Sequence, residues 1–377
     1  MSTQKTVVVA SNTAWFLYNF HLALIQTLQQ EGYRVVAIAP KDDYALKLSE
    51  EGVAFMPITI NSKGTNPLED LLLIRDFYHI YKASNADIIL NFTIKPNIYG
   101  SIAARFLGIP VIGTITGLGT LFLQESLSTK IGKMLYKIAL KVPRKVYYLN
   151  QTDRDLFIHA ALIDAKKAKI IPGAGIDTEK FKPLPKSTAE RKTVRFLMIA
   201  RLIKDKGIME FVNAAKIFRE NYRNHHAEFY ILGAYYEGNP TAVKKEEIDQ
   251  WEKEGLITYL GTSDDVPSVI ADADCVVLPS YREGISQVLL EAASMAKPII
   301  ATDVPGCKEV VDHEKSGYLC KVKDADSLAR TMERMAALSY EEREAMGKNG
   351  REKVIREFDE KVVNALYLKS IEAILTS

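Results

Sequence analysis

The chain has 377 residues, of which 47% are hydrophobic and 25% charged, with a formal net charge of +2. That length exceeds what one hydrophobic core usually supports, so two domains are expected, and so small a net charge does not describe a nucleic-acid binder. No apolar run reaches the ~18–20 residues of a membrane span, and the three cysteines (275, 307, 320) have neither a disulfide framework's count nor a metal site's spacing.

The opening MSTQKTVVVAS runs straight into a strand with no apolar secretory region, which predicts a reducing, cytoplasmic setting. Thr6–Ser11 reads as a buried strand, and a helix follows Asn12-Thr13 to about Gln30. Further strands are expected at Tyr33–Ala39, Val53–Ile60, Ala86–Asn91, Pro110–Thr116 and Lys145–Asn150, with helices between them. Continuous apolar strands alternating with helices predict a parallel sheet covered on both faces. No Gly-x-Gly-x-x-Gly follows the first strand, which argues against a dehydrogenase. The loops after these strands should rim a ligand cleft, making Asn12, Thr13, Thr93, Lys95, Thr116 and Gly117, with Leu118-Gly119, candidate contacts. His21 falls inside the first helix and reads as either a core residue or a catalyst.

Charge is uneven along the chain: residues 1–170 hold 19 Lys/Arg against 13 Asp/Glu. An anionic partner, lipid headgroups or a diphosphate, is expected there unless the cations are merely scattered and solvated. Lys130, Lys133, Lys137, Lys141 and Arg144 advance by 3, 4, 4 and 3 residues, which is one helical stripe. Ile131, Leu135, Ile138 and Val142 form an apolar stripe beside it. Such a helix either rests on an anionic membrane surface or turns its apolar stripe to its own sheet.

The Pro- and Gly-rich run from Ile170 to Pro185, with the polar stretch to Lys192, is the expected domain boundary. The expected division is 1–170 with a returning helix at 359–377, a linker at 171–192, and a second domain at 193–358. Val194–Ala200 opens a second α/β series, and its loop carries Arg201 and Lys206 before a helix beginning at Gly207. An Arg fork and a Lys point charge beside a helix N-terminus suit a diphosphate. Strands are expected at Ala227–Gly233 and Leu256–Gly261, the latter leading to Asp265 and Val266. Asp264-Asp265 lacks Asp-x-Asp spacing, and no metal is expected. Cys275–Leu278 is a buried strand, Ser280–Gly284 a polar turn, and Ser286 caps or begins a helix to about Ala296. Glu283 and Glu291 stand eight residues apart. On one straight helix that is roughly 12 Å, two turns along a similar face, beyond the ~5–9.5 Å carboxyl separation of glycosidases.

PSYREGISQVLLEAASMAKPIIATDVPGCKEVV resembles the E-x7-E signature of family-four retaining GT-B glycosyltransferases, which use nucleotide-sugar donors. Arg201 and Lys206 match the family's R-x4-K, and the run through Gly175-Ile176-Asp177 to Phe181 resembles its interdomain segment. The resemblance implies two facing doubly wound α/β domains, acceptor on the first and donor on the second. It places Glu283 beside the donor sugar, Glu291 on the ribose, Gly284, Ile285 and Ser286 at the phosphates or sugar, and Asp265 and Val266 near the base. Arg201, Lys206 and Glu283 would form the catalytic set, and Asn12, Thr13, Lys95, Thr116 and Gly117 the acceptor side.

Relatives present a glycine pair after the first strand and a histidine or carboxylate near Thr116. This chain has Ser-Asn-Thr and Thr-Gly there, so no titratable base carries over. Through Ala200–Gly207, Leu232–Pro240 and Asp303–Cys307 the chain resembles bacterial transferases that add N-acetylhexosamine to undecaprenyl-diphosphate-linked sugars. The implied donor is UDP-N-acetylgalactosamine or UDP-N-acetylglucosamine, as a substrate and not a cofactor. The implied acceptor is a lipid-linked saccharide at the cytoplasmic face of the inner membrane. A UDP-sugar epimerase of the same layout and a non-catalytic nucleotide-sugar binder remain alternatives.

Overall fold

Val7, Val8 and Val9 are all closed to solvent, as are Val276 and Val277. Only strands covered on both faces can bury consecutive side chains in this way. A computed structural model describes residues 4–61, 64, 66–117, 127–185, 193–222, 224–236 and 238–376. It divides into two units, Met1–Gly175 with Glu360–Ser377, and Ile176–Asp359.

The first unit runs β1 (Thr6–Ala10), α1 (Ala14–Gln30), β2 (Arg34–Ala39), α2 (Tyr44–Glu50), β3 (Ala54–Pro57), α3 (Pro67–Ser84) and β4 (Ile88–Phe92). A π-helical turn at Pro96–Gly100 leads into α4 (Ser101–Leu107). Then come β5 (Val111–Ile115), α5 (Leu127–Ala139), β6 (Lys145–Tyr148), α6 (Gln151–His159) and β7 (Ala168–Ile170). Its sheet is parallel, in the order β3-β2-β1-β4-β5-β6-β7. The second unit holds β8 (Val194–Ile199), α7 (Ile208–Asn221), β9 (Ala227–Leu232), α8 (Lys245–Lys253), β10 (Thr258–Tyr259), α9 (Val266–Asp272) and β11 (Cys275–Leu278). It continues with α10 (Gln287–Ser294), β12 (Ile299–Thr302), β13 (Gly317–Cys320), α11 (Ala325–Ala337) and α12 (Tyr340–Glu357). Its parallel order is β10-β9-β8-β11-β12-β13. A last helix, α13 (Glu360–Leu375), returns to the first unit.

Each sheet therefore reverses its winding once, between β1 and β4 in the first and between β8 and β11 in the second. A crevice opens at such a point, outside the carboxyl ends of the strands.

Three local outcomes differ from the sequence pattern. The strand expected at Val53–Ile60 is only Ala54–Pro57, an edge strand whose last residue has no backbone N–H to donate. β7 is a strand that no apolar run announces, because two of its three residues are exposed. Within the stretch expected to link the domains, Ile176 and Phe181 pack into the second unit's core, while 186–192 lie outside the described residues.

α5 also departs from a simple amphipathic reading. Its buried side is Thr129, Gly132, Tyr136 and Ala139, not the Ile131–Val142 stripe. That stripe splits. Leu135 and Val142 pack against the core, whereas Ile131 and Ile138 are 47% and 46% exposed, with Met134 at 56%.

Candidate active site

In the second unit the β8 loop delivers the two expected cations. A 3₁₀ turn over Lys204–Lys206 ends at Gly207, whose φ of +78° lies in the left-handed region. A Cβ there would stand 2.1 Å from the Pro279 carbonyl, so only glycine lets the β8 loop close on the β11 loop. The closure brings Lys206 Nζ onto Glu283 Oε1 as an ion pair, with side chains 19% and 13% exposed. Ser280 Oγ donates to the same carboxylate oxygen at 2.7 Å. Thr302 Oγ1 donates to the Ser280 carbonyl, and Tyr281 N donates to Asp205 O at 2.9 Å. Arg201 makes no ion pair among the described residues; its guanidinium lies 4.9 Å from the centroid of the Tyr236 ring.

The turn after β11 is clamped from its other side. Glu283 N donates to Pro305 O at 3.0 Å and Ser286 N to Gly306 O at 2.9 Å. A Cβ on Gly306 would meet the Glu283 backbone at 2.5 Å. The Ser286 amide, expected to face a donor, is thus already engaged within the protein, while its hydroxyl accepts from Leu289 N at 3.4 Å as the N-cap of α10. Cys307 is buried beside this pair, and burial first, then the Glu283 charge, pushes its thiol well up, so it stays neutral.

Glu291 lies in the body of α10, half-buried. Burial pushes its carboxyl up to about 7, with Lys180 pulling the other way. Asp265 is the N-cap of α9, its Oδ1 accepting from Ser268 N at 3.2 Å; the Ser268 side chain first, then this amide, lower its carboxyl. Its charge is therefore used locally, and Val266 begins the helix.

At the first unit's switch point, Thr13 caps α1 by accepting from Phe16 N at 3.1 Å. Asn12 N donates to Thr93 Oγ1 at 3.0 Å, and Asn12 Oδ1 is buried with no partner among the described residues. Thr93 itself has a φ of 62°. Asn97 holds this strained turn in place, donating to Thr93 O at 2.6 Å and Thr114 O at 2.8 Å. Lys95 Nζ is paired with Asp70 Oδ1 at 2.7 Å, with side chains 9% and 16% exposed. Thr116 and Gly117 follow β5, and Leu118-Gly119 lie outside the described residues. His21 is a core residue: its ring stacks on Phe92 at 3.9 Å, and burial lowers it to about 3.

Sequence reasoning missed Ser280, Thr302, Asn97 and Asp70. Their importance lies in partners 22, 17 and 25 residues distant, which no local pattern encodes.

A family model described as glycosyl transferases group 1 matches residues 180–353, and one described as glycosyl transferase 4-like matches residues 7–151. The chain belongs to these glycosyltransferases. The transferase is 26% identical to the N,N'-diacetylbacillosaminyl-diphospho-undecaprenol alpha-1,3-N-acetylgalactosaminyltransferase of Campylobacter jejuni, over 95% of this chain and 96% of that one. It is 29% identical to the UDP-Gal:alpha-D-GlcNAc-diphosphoundecaprenol alpha-1,3-galactosyltransferase of Escherichia coli, over 85% and 83%. Its fold matches a glycosyltransferase from Rickettsia africae with a TM-score of 0.81 at 19% identity, covering 99% of both chains. The Anabaena protein HepE, in complex with UDP and glucose, matches with a TM-score of 0.78 at 19% identity, over 97% of this chain and 99% of that one. The transferase thus has the GT-B fold, as its motifs implied.

Proposed function

We propose that this transferase moves N-acetylgalactosamine or N-acetylglucosamine from its UDP-sugar to a polyprenyl-diphosphate-linked saccharide, with retention at the anomeric carbon. The observation that carries this reading is the Lys206–Glu283 pair at the β8/β11 switch point, with Arg201 on the same β8 loop making no ion pair among the described residues. These groups suit a reaction in which a sugar leaves a diphosphate. The bond from the anomeric carbon to the β-phosphate oxygen breaks, and its electron pair goes to that oxygen. The acceptor hydroxyl bonds to the same face of the carbon, and its proton passes to the departing phosphate.

Arg201 and Lys206 would stabilise the charge that grows on the diphosphate, where preorganised cations act most strongly. Glu283, pinned by Ser280, would orient Lys206 and meet the sugar hydroxyls. Glu291 would accept from the ribose. On the first unit, Asn12, Thr13, Lys95, Thr116 and Gly117 would meet the acceptor saccharide. The relatives named above are transferases, and no observation favours the epimerase or the non-catalytic binder.

No helix among the described residues is long and apolar enough to cross a membrane. α5 and the turn that follows it supply a face on which a lipid-linked acceptor could be met. Lys130, Lys137 and Lys141 are exposed and Lys133 half-buried, alongside the outward Ile131, Met134 and Ile138. This supports a peripheral position on the cytoplasmic face.

The deciding experiment measures UDP release across a panel of UDP-sugars with a lipid-diphosphate-sugar acceptor. Release that requires both the acceptor and one UDP-N-acetylhexosamine supports the reading. Turnover of the UDP-sugar without acceptor, giving its epimer, would sink it.

A further inference from the structure

A second concentration of charge lies at the opposite end of the first sheet from its ligand loops. α4 and α5 run back against the parallel strands, so their C-termini arrive where β5, β6 and β7 begin. Backbone bonds set the register there: Ile89 N donates to Pro110 O at 3.0 Å, Arg144 N to Val111 O at 2.9 Å, and Val146 N to Lys167 O at 2.9 Å. The outcome is an open cavity of about 710 Å³ ringed by Arg105, Lys141, Arg144 and Lys167, with Ile109 and Val142 in its walls. Among the described residues no carboxylate lines it.

Among the described residues, Arg105, Lys141 and Arg144 make no ion pair. Lys167 Nζ donates to the Lys141 carbonyl at 2.7 Å, which fixes one ammonium at the rim. Burial lowers that ammonium, Asp164 opposes the shift, and the neighbouring Arg144 adds to it. Four cations round one concavity repel each other while it is empty, and they focus their field on any anion that enters. Guanidinium forks match phosphate oxygens in pairs, whereas lysines act as point charges. The volume falls within the roughly 300–1,000 Å³ of small-molecule sites, enough for a phosphate and the group it carries.

We propose that this cavity is a phosphate-binding site, separate from the transfer site, taking a phosphomonoester or phosphodiester. Arg105 and Arg144 grip the oxygens, and Lys141 and Lys167 complete the charge. The phosphate comes either from a lipid headgroup or from a small soluble molecule. Lys141 is also the last lysine of the α5 stripe, so a surface that held α5 would present headgroups at the cavity rim. The site itself depends on neither the membrane reading nor the donor sugar.

The test uses the full chain with UDP present, so that phosphate cannot report on the donor site. Binding of inorganic phosphate and of glycerol phosphate is measured by calorimetry. Binding to vesicles of phosphatidylglycerol in phosphatidylcholine is measured by sedimentation. Arg105→Gln/Arg144→Gln should weaken the bound probe by about tenfold or more, at the ~1 kcal/mol per cation of such sites. Lys41→Gln/Lys216→Gln removes the same charge elsewhere and should change binding less than about twofold. Arg105→Lys/Arg144→Lys keeps the charge without the forks, and should lose part of the affinity while melting like the wild type. Saturable binding of the soluble phosphates assigns a soluble source, and binding to the vesicles alone assigns a headgroup. The site is refuted if the wild type binds none of these probes, or if the cavity and control variants weaken alike.

Discussion

Lys206 and Arg201 differ in what they do before a ligand arrives. Lys206 is held by Glu283, whereas Arg201 rests near an aromatic ring without an ion pair. Arg201→Ala and Lys206→Ala should each lower turnover by about 10²-fold or more, the ~3 kcal/mol of a lost transition-state charge contact. Thermal unfolding should change little for Arg201→Ala, since the side chain is exposed. Either variant retaining near wild-type turnover would remove the diphosphate role. Glu291 gives a second test, with a defined sign. Its folded carboxyl sits at about 7, above the 4.5 of an unperturbed glutamate. The folded state therefore holds a proton that the unfolded chain has lost between those values, and stability falls as pH rises from 4.5 to 7. The cost at pH 8 is roughly 3 kcal/mol. Glu291→Gln should melt higher than the wild type at pH 8 and no higher at pH 4. UDP titrations of the same variant should show weakened binding, and unchanged affinity would rule out the ribose contact.

At the scale of single elements, α5 was half legible. Lys130, Lys133 and Lys137 follow the 3.6-residue repeat of a helix, but α5 ends at Ala139, so Lys141 and Arg144, expected on the same stripe, lie beyond it. Which apolar side chains point outward did not follow, because Tyr136 and Ala139 take the place against the sheet and leave Ile131 and Ile138 exposed. Reversing Lys130, Lys133, Lys137 and Lys141 to Glu should abolish sedimentation with anionic vesicles at low salt. Each lysine contributes about 1 kcal/mol near such a surface, within a Debye length of ~8 Å at physiological ionic strength. Activity on a short-chain, water-soluble acceptor should persist. A wild type that ignores anionic vesicles even at low salt leaves α5 as a solvated helix.

For the whole molecule, α13 is the element whose position in sequence and position in space differ most. It follows the second unit in the chain yet completes the first. Tyr367 Oη lies 2.8 Å from Thr114 Oγ1, Tyr147 Oη 2.6 Å from Ser370 Oγ, and Lys145 Nζ donates to Ser370 Oγ at 2.7 Å. Val363, Tyr367 and Ile371 are buried in the core formed with β1 and α1. Deleting residues 360–377 should cost the first unit roughly 5 kcal/mol or more, at ~1.5–3 kcal/mol per buried side chain. That is comparable to the whole stability of a domain. The second unit keeps its own closing contacts, Ile176 N to Phe358 O and Thr178 Oγ1 to Asp359 Oδ2. The truncated chain should show protease-resistant fragments from residues 176–359 and none from 4–175. Resistance of both would mean that α13 is dispensable.

Sequence alone determined the parallel α/β class, because buried strands need unbroken apolar runs, and Cys275–Leu278 or Val7–Val9 cannot be read otherwise. It also determined the helix starts after Thr13 and at Ser286, which cap by reaching only three residues along the chain, whereas the cap at Asp265 was read as loop. The Arg201–Lys206 spacing was legible because both lie on the one loop after β8, whereas the glutamate pair spans the turn after β11 and the body of α10. Tertiary structure decided everything that joins distant segments. It set Lys206 against Glu283, and Asp70 against Lys95. It also made Gly207 and Gly306 indispensable through the backbones of Pro279 and Glu283, and turned three residues at 168–170 into a strand. Such contacts depend on which loops two sheets bring together at their switch points, and local spacing carries no record of that.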